Sequence, residues 1–301
     1  LEKVMIGWGL KRFYAAEVFK WIFQKGSVDF SKMTNLPQGL RKKLSEEFSV
    51  TGLSIKETVT SNDGTEKFLL ELSDGNVVEA VIIPASRRVT VCISSQAGCK
   101  FSCRFCASGM SGFKRDLSAA EIIDEVLLLK NRLLSQKRVL THVVFMGTGE
   151  PFDNYDNVLQ AARILNDDAG FNIGARRITI STCGIIPGIK RMAEEGLQVE
   201  LSISLHAADD KTRQKLMPVN QKYPLRDLMK ACQEYVARTN RQITFEYILL
   251  AGVNADLQTA RKLGILLQGV RLAKVNLIPA NVVPGSGLNQ PVHEEISAFK
   301  Q

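Results

Sequence analysis

From residue 118 onward, stretches with helical spacing of apolar residues alternate with short apolar runs typical of buried strands. Such an alternation predicts an α/β protein with βα units around a parallel sheet, in which functional loops follow the C-terminal ends of the strands. With a strand at 89–94 there are about six strands, fewer than a closed eight-stranded barrel has, so we predict a partial (β/α)6 barrel. The predicted order is helix 118–134, strand 142–146, helix 157–166, strand 178–182, helix 189–195, strand 199–205, helix 225–238, strand 243–250, helix 256–267 and strand 274–278.

Two smaller segments precede this barrel, which we assign to residues 89–301. Residues 1–50 are basic and have apolar side chains at helical spacing, which predicts a small helical accessory domain whose basic side chains contact nucleic acid. From Glu66 the apolar period changes to two, and residues 73–76 have the composition of a turn. We therefore predict that residues 51–88 form a linker and a β-hairpin extension.

The composition excludes several classes of protein. Hydrophobic residues make up 45% and charged residues 23% of the 301 residues, which excludes disordered, collagenous and coiled-coil chains. No apolar run reaches the roughly 18 residues that span a bilayer, and no signal-peptide pattern opens the chain, so we expect a cytoplasmic protein without a membrane partner. Lysine and arginine outnumber acidic residues by 39 to 31, which favours a polyanionic partner.

Cysteines are concentrated at the start of the predicted barrel. Of the six in the chain, Cys92, Cys99, Cys103 and Cys106 lie within fifteen residues, and the last three have the spacing C-x3-C-x2-C. Three thiolates on one tight loop can hold three irons of a cubane [4Fe-4S] cluster and leave the fourth iron open to a small molecule. A structural zinc site would need a fourth ligand at suitable spacing, and the nearest histidine, His142, lies in a predicted strand.

A second motif follows the next strand. Residues 147–151 read Gly-Thr-Gly-Glu-Pro, and glycines at such a place let the backbone approach a ligand closely. Glu150 can accept a hydrogen bond from an ammonium group.

These two motifs resemble those of the radical S-adenosylmethionine (SAM) superfamily, including the aromatic Phe105 directly before the third cysteine. The resemblance implies that Cys99, Cys103 and Cys106 bind a [4Fe-4S] cluster whose open iron chelates SAM. One electron from the cluster would then cleave SAM to a deoxyadenosyl radical. The SAM contacts that the resemblance implies are Gly149, Glu150, Ser181, Ser204, Leu205, His206 and Asn281.

The resemblance extends to one family within that superfamily and covers residues 5 to 300. The matching runs resemble the RlmN/Cfr family of RNA methyltransferases: 92–99, 180–185, 204–207, 215–220, 245–247, 252–254 and 275–281. The family implies methylation of an adenosine in 23S ribosomal RNA at the peptidyl-transferase centre. RlmN-type members act at C2, and in tRNA next to the anticodon as well, whereas Cfr-type members act at C8 and confer antibiotic resistance.

The family chemistry implies two SAM molecules per turnover. One methylates a cysteine, and the second generates the radical that converts this methylcysteine into a carbon radical, which adds to adenine. The resemblance assigns Glu79 as the base that removes the ring proton and Cys92 as the thiol that resolves the crosslink by forming a disulfide. Glu79 stands in an apolar run, so we expect a buried carboxylate with a raised pKa.

Cys183 and Cys232 are interpreted as structural. The family places the methyl-carrying cysteine in a C-terminal Ala-Cys-Gly-Gln-Leu-like motif, and no cysteine follows Cys232 in this sequence. We therefore expect residues 1–301 to bind the cluster and SAM without methylating RNA.

RNA binding has support from the charge pattern. Residues 85–115 contain six basic and no acidic side chains. The basic residues are Arg87, Arg88, Lys100, Arg104, Lys114 and Arg115. Contacts of this kind to phosphates provide affinity that is independent of sequence. The resemblance also implies an electron donor such as flavodoxin, and a monomer.

Three alternatives to an RlmN-type enzyme stay open. A Cfr-type C8 methyltransferase shares the cofactors, but residues 147–154 resemble RlmN-type members more closely, because Cfr-type members tend to replace the proline after the glutamate. A non-catalytic iron–sulfur protein that binds RNA would not cleave SAM. A radical SAM activase of another protein would have no use for Cys92 or for basic N-terminal helices.

Overall fold

The computed structural model describes residues 1–281, 283 and 285–301. The chain forms two compact units, each built from several segments. The first comprises residues 1–94, 117–147 and 156–178, and the second comprises residues 95–116, 148–155 and 179–301.

Three helices open the chain, a run of strands follows, and helices and strands largely alternate from residue 119 onward. The helices are α1 (Glu2–Gly7), α2 (Phe13–Phe23), α3 (Gln38–Glu47), α4 (Ala107–Met110), α5 (Ala119–Ser135), α6 (Tyr155–Asn166), α7 (Ile186–Met192), α8 (Asp210–Leu216), α9 (Leu225–Thr239), α10 (Leu257–Leu267) and α11 (His293–Lys300). The strands are β1 (Ser54–Thr60), β2 (Glu66–Glu71), β3 (Val77–Ala85), β4 (Arg88–Ile93), β5 (Gln96–Ala97), β6 (Arg115–Asp116), β7 (His142–Phe145), β8 (Ile178–Thr182), β9 (Glu200–Ser204), β10 (Ile243–Leu249) and β11 (Ala273–Pro279). Short 3₁₀ turns occupy Phe30–Lys32, Ala175–Arg177 and Pro218–Gln221. No helix in the described part of the chain is both long enough and apolar enough to cross a membrane.

The sheet of the first unit has the strand order β1-β2-β3-β4-β7. The first four strands pair antiparallel, and β4 pairs with β7 in parallel. The predicted hairpin is confirmed, because Glu71 of β2 lies opposite Val77 of β3 across the predicted turn. The sequence pattern did not predict β1, because every residue of this edge strand is exposed and no buried face imposes a period of two.

The second unit contains the parallel strands β8-β9-β10-β11, apart from the first residue of β8, which belongs to the first unit. The register sets Ser181 of β8 beside Ser202 of β9, and Thr244 of β10 beside the same Ser202. Together with β4 and β7, these are the six strands predicted for a partial barrel, and all six lie within the described residues. Each end of these strands lies within one residue of its predicted position.

The long helix α5 packs against the N-terminal helices. Its start is fixed by a capping box, in which the Ser118 side chain accepts from the Glu121 N–H and the Glu121 carboxylate accepts from the Ser118 N–H. Leu127 of α5 belongs to the same buried cluster as Met5, Val18 and Leu44 of the N-terminal helices. Residues 1–50 therefore share a hydrophobic core with α5, while the predicted domain boundaries at 50 and 88 stay a prediction.

Helix α8 was not predicted, and its composition explains why. It has seven mostly polar residues, and Asp209 caps its start by accepting from the Thr212 N–H at 2.8 Å. Its two buried side chains are Leu216 and a charged residue, Arg213, so it shows no apolar stripe.

We expect Leu127→Ala to lower the free energy of unfolding by about 2–5 kcal/mol, because it removes a fully buried side chain that joins α5 to the N-terminal helices. Leu134→Ala on the same helix is the matched control, because its side chain is exposed. Urea denaturation followed by circular dichroism measures both. Equal losses for the two variants would contradict this packing.

Candidate active site

The three cysteines of the C-x3-C-x2-C motif lie on one loop of the second unit. The two-residue strands β5 and β6 close the base of this loop, with Gln96 opposite Asp116 and Ala97 opposite Arg115. Within the loop the Cys106 N–H donates to the Cys103 carbonyl at 3.1 Å. Each of the three cysteines is partly buried, and none forms a disulfide.

Burial disfavours the ionised form of these thiols. Burial raises the pKa of Cys99 to about 11 and that of Cys103 to about 12, and the neighbouring thiols add to both shifts. Bound iron removes this cost, because a thiolate that ligates a metal exchanges its proton for a cation.

The donor set fits a [4Fe-4S] cluster better than a single ion. Among the described residues, no three histidine, cysteine, aspartate or glutamate side chains converge closely enough to hold one metal ion. The thiolates that hold a cubane each bind a different iron, so they do not have to converge on one point. Cys99, Cys103 and Cys106 would hold such a cluster.

Two glycines let the cysteine loop close. Gly98, directly before Cys99, has φ +78°, and a Cβ placed there would lie 1.7 Å from the carbonyl oxygen of Gly112. Gly112 has φ +68° but open space around its Cβ position. Only Gly98 is therefore required by close packing as well as by its backbone conformation.

The loop that follows β7 is held against β5. The Glu150 N–H donates to Gln96 Oε1 at 2.8 Å, and Gln96 Nε2 donates in turn to Asp116 and Asp153. Gly149 has φ +107°, and a Cβ on it would lie 2.6 Å from the Cβ of Gln96. The second glycine of the motif is therefore needed for this close approach.

The Glu150 carboxylate is buried and joins the ends of two strands. Its oxygens accept from the N–H of Phe152 at 2.9 Å and from the N–H of Cys183 at 2.6 Å. Burial raises its pKa, and these hydrogen bonds oppose that shift. The side chains of Thr182 and Cys183 also hydrogen-bond to this carboxylate. Sequence reasoning treated Cys183 as structural only, and its backbone is part of this arrangement.

His206 follows β9 as a neutral side chain. Its Nδ1 accepts from the Ile248 N–H at 3.0 Å, which places the ring proton on Nε2. Burial lowers its pKa to about 3, and the charge of Arg213 contributes to that shift. Phe105 of the cysteine loop meets the His206 ring edge-on, with centroids 4.7 Å apart. The structure thus brings His206 to the cysteine loop.

The remaining predicted SAM contacts also lie in the second unit. Ser181 is buried on β8, Ser204 ends β9, and Leu205 is buried directly after it. The Leu205 N–H donates to the Glu246 carbonyl of β10 at 3.0 Å. Asn281 is exposed after β11, and no described hydrogen bond joins it to the others.

Glu79 and Cys92 lie on one face of the sheet in the first unit. Val81 of β3 is opposite Cys92 of β4, and Glu79 lies two residues from Val81 on the same face. Ser94 Oγ donates to the Glu79 carbonyl at 2.7 Å. The expectation of a buried Glu79 was wrong, because its side chain lies on the half-exposed face of β3 and forms an ion pair with Lys67.

The Cys92 thiol lies near a buried carboxyl group that sequence reasoning missed. Burial raises the pKa of Cys92 to about 12, and Glu125 and Glu79 add to the shift. Glu125 of α5 is fully buried, and its Oε2 accepts from the Ser94 N–H at 3.0 Å. Its Oε1 has no partner among the described residues. Two adjacent acids in the apolar run 122–127 were the signal in the sequence.

The basic residues predicted to contact RNA are mostly exposed. Arg87 and Arg88 are exposed on the first unit, and Lys100, Arg104 and Lys114 are exposed on the second, where Arg115 is half-buried. Lys100 forms an ion pair with Asp153 at 2.6 Å. The exposed charged residues 100, 104 and 114 therefore lie on the cysteine loop of the second unit.

The chain matches two family models, the radical SAM superfamily over residues 93–263 and the ribosomal RNA large subunit methyltransferase N-terminal domain over residues 1–50. It is 44% identical over its whole length to the probable dual-specificity RNA methyltransferase RlmN of Geobacillus thermodenitrificans, of which it covers 82%. It is 45% identical over its whole length to the protein of the same name from Thermoanaerobacter sp., of which it covers 87%. The chain belongs to the RlmN family.

A solved relative supports the fold. The crystal structure of a radical SAM methyltransferase from Sphaerobacter thermophilus superposes with a TM-score of 0.96 at 42% identity, over 99% of this chain and 88% of the other. The predicted radical SAM partial barrel is thereby confirmed. Membership of this superfamily implies a [4Fe-4S] cluster and SAM, which the cysteine loop and Glu150 fit.

We expect Gly98→Ala to abolish cluster loading, because the new Cβ would overlap the Gly112 carbonyl and displace Cys99. Gly112→Ala has the same unfavourable φ without a clash, so its cost is limited to the order of 1 kcal/mol. Iron and sulfide content and visible absorbance after anaerobic reconstitution measure both variants. Normal loading of Gly98→Ala would contradict the close approach of these backbones.

Proposed function

We propose that residues 1–301 belong to a radical SAM RNA methyltransferase that methylates C2 of an adenosine in 23S rRNA at the peptidyl-transferase centre, and in tRNA next to the anticodon. The observation that carries this proposal is the three-cysteine loop beside buried Glu150, in a chain 44–45% identical to relatives named as dual-specificity RNA methyltransferases.

The second unit provides the cofactor site in this proposal. A bound [4Fe-4S] cluster supplies the electron that cleaves SAM. Glu150 accepts from the SAM ammonium group with a carboxylate that the N–H groups of Phe152 and Cys183 hold in place. His206 provides a neutral Nε2–H donor at the end of β9. Gly149, Ser181, Ser204, Leu205 and Asn281 complete the proposed SAM contacts.

The first unit provides the acid–base and thiol chemistry. Glu79 takes the proton from the adenine ring carbon, and its half-exposed carboxylate forms an ion pair with Lys67. Cys92 attacks the sulfur of the crosslinked methylcysteine, so that an S–S bond forms while the bond between that sulfur and the methylene carbon on adenine breaks. The methylene carbon keeps the electron pair of the broken bond and takes up a proton, which makes it the methyl group of the product. Because burial raises the Cys92 pKa to about 12, this thiol must transfer its proton as it attacks, and it does not rest as a reactive thiolate.

The exposed arginines and lysines of both units bind RNA phosphates in this proposal, with an affinity that salt weakens. Two SAM molecules are used in each turnover, and a reduced carrier such as flavodoxin supplies electrons. We further propose that the enzyme acts as a monomer in the cytoplasm.

The proposal is tested with protein from its own gene, reconstituted anaerobically and incubated with methyl-labelled SAM, dithionite and a 23S rRNA fragment. Mass spectrometry of the digested RNA identifies the product, and we expect 2-methyladenosine and deoxyadenosine. 8-Methyladenosine would instead identify a Cfr-type enzyme. An intact cluster that cleaves SAM without methylating rRNA or tRNA would overturn the substrate assignment.

In protein from its own gene, we expect Cys92→Ser to stop turnover and to trap a covalent protein–RNA adduct, because the crosslink forms but the thiol that resolves it is absent. Cys232→Ser is the matched control, since burial raises the pKa of the Cys232 thiol to about 12 as well. Denaturing gels with labelled RNA detect the adduct. If Cys92→Ser turned over like the wild type, Cys92 would not be the resolving thiol.

A further inference from the structure

One buried charge in the second unit has no role in the proposed reaction. Arg213 of α8 is 0% exposed, and its guanidinium donates all five of its N–H groups. Nε donates to the Leu205 carbonyl at 3.2 Å. Nη1 donates to Asn220 Oδ1 at 3.0 Å and to the Tyr223 carbonyl at 3.4 Å. Nη2 donates to the carbonyls of Cys183 at 2.7 Å and Ser204 at 3.2 Å.

All five acceptors are neutral. Among the described residues Arg213 forms no ion pair, and Asp210 and Glu150 are connected to it only through intervening groups. Asn220 separates it from Asp210, to which the Asn220 amide donates at 2.9 Å, and the Cys183 peptide separates it from Glu150. Since buried charges in proteins are as a rule paired or bound to metals, this cation lacks a partner.

The surroundings indicate what that partner is. Arg213 Nε donates to the Leu205 carbonyl, and the ring of the next residue, His206, contacts Phe105 of the cysteine loop with centroids 4.7 Å apart. The Arg104 N–H donates to the Leu216 carbonyl at 3.0 Å, so the helix that carries Arg213 also anchors the cysteine loop. Gly184 leaves room for the guanidinium, because a Cβ there would lie 3.2 Å from Nη2.

We propose that Arg213 is an electrostatic positioning residue for the iron–sulfur cluster: a fixed buried cation that compensates the thiolate-bound cluster and raises its reduction potential. Accepting one electron makes the cluster more negative by one charge, and a nearby cation stabilises that reduced form. This inference rests on the part of the proposed function in which Cys99, Cys103 and Cys106 hold a [4Fe-4S] cluster.

The test is the one-electron midpoint potential of the reconstituted cluster, titrated with dithionite and followed by electron paramagnetic resonance, without SAM or RNA. Arg213→Gln removes the charge, and Arg213→Lys keeps the charge but has only three donors. Lys215→Gln is the control, because it removes an exposed charge from the same helix. We expect Arg213→Gln to shift the midpoint to more negative values by at least a tenfold change in the redox equilibrium, or about 59 mV. Arg213→Lys and Lys215→Gln should stay within half of that shift.

Asn220→Asp tests the same charge change if Arg213→Gln does not fold. It places a carboxylate of the same shape against Nη1, where the guanidinium favours its ionised form despite Asp210 on the other side. We expect the same negative shift.

A wild-type midpoint in Arg213→Gln, or in Asn220→Asp where only that variant folds, would overturn the inference. An equal shift in Arg213→Lys would overturn it as well, since the five hydrogen bonds alone would then explain the effect. If wild-type protein assembled no cluster, the proposed function would fail, and the inference with it. A normal wild-type cluster with an unshifted variant would refute the inference alone.

Discussion

The peptide of Cys183 lies between two buried charges, and the geometry of the candidate site depends on this arrangement. Its N–H donates to Glu150 at 2.6 Å, and its carbonyl accepts from Arg213 at 2.7 Å. Glu150 comes from the loop after β7, Arg213 from α8, and Cys183 from the end of β8. A hydrogen bond to a charged group contributes about 1.5–3 kcal/mol, roughly twice a neutral one. The loop ends that surround the proposed SAM site are therefore fixed by charge-assisted bonds.

In the first unit, the register between β3 and β4 brings Glu79 and Cys92 to the same face of the sheet. Glu79 and Cys92 share one face because β3 and β4 pair antiparallel with Val81 opposite Cys92, and a slip of one residue would put them on opposite faces. Ser94 holds this register with its hydroxyl group on the Glu79 carbonyl and its N–H on Glu125. The two groups thus differ in setting, since the thiol is largely enclosed while the carboxylate reaches solvent and Lys67.

The apolar periodicity of the sequence predicted the helices and strands that bury an apolar stripe. It failed for elements that have no such stripe. Strand β8 and helix α9 were found because their apolar residues have the right period. Helix α8 was missed because it buries Arg213, and β1 because it buries nothing. The cysteine loop and Glu150 were recognisable from spacing. Glu125 and the role of the Cys183 backbone depend on contacts between residues about 30 positions apart, which no local pattern encodes.

The buried charges also indicate which state of the site is the stable one. Burial raises the pKa values of Cys99 and Cys103, and the Arg213 cation faces only neutral acceptors. Both conditions cost free energy, since buried charges and desolvated polar groups are stable only when paired. An anionic thiolate-bound cluster would remove both costs at once, by replacing thiol protons with iron and by giving the guanidinium an opposite charge. If the loop holds the proposed cluster, metal binding and local order in this unit should be thermodynamically linked.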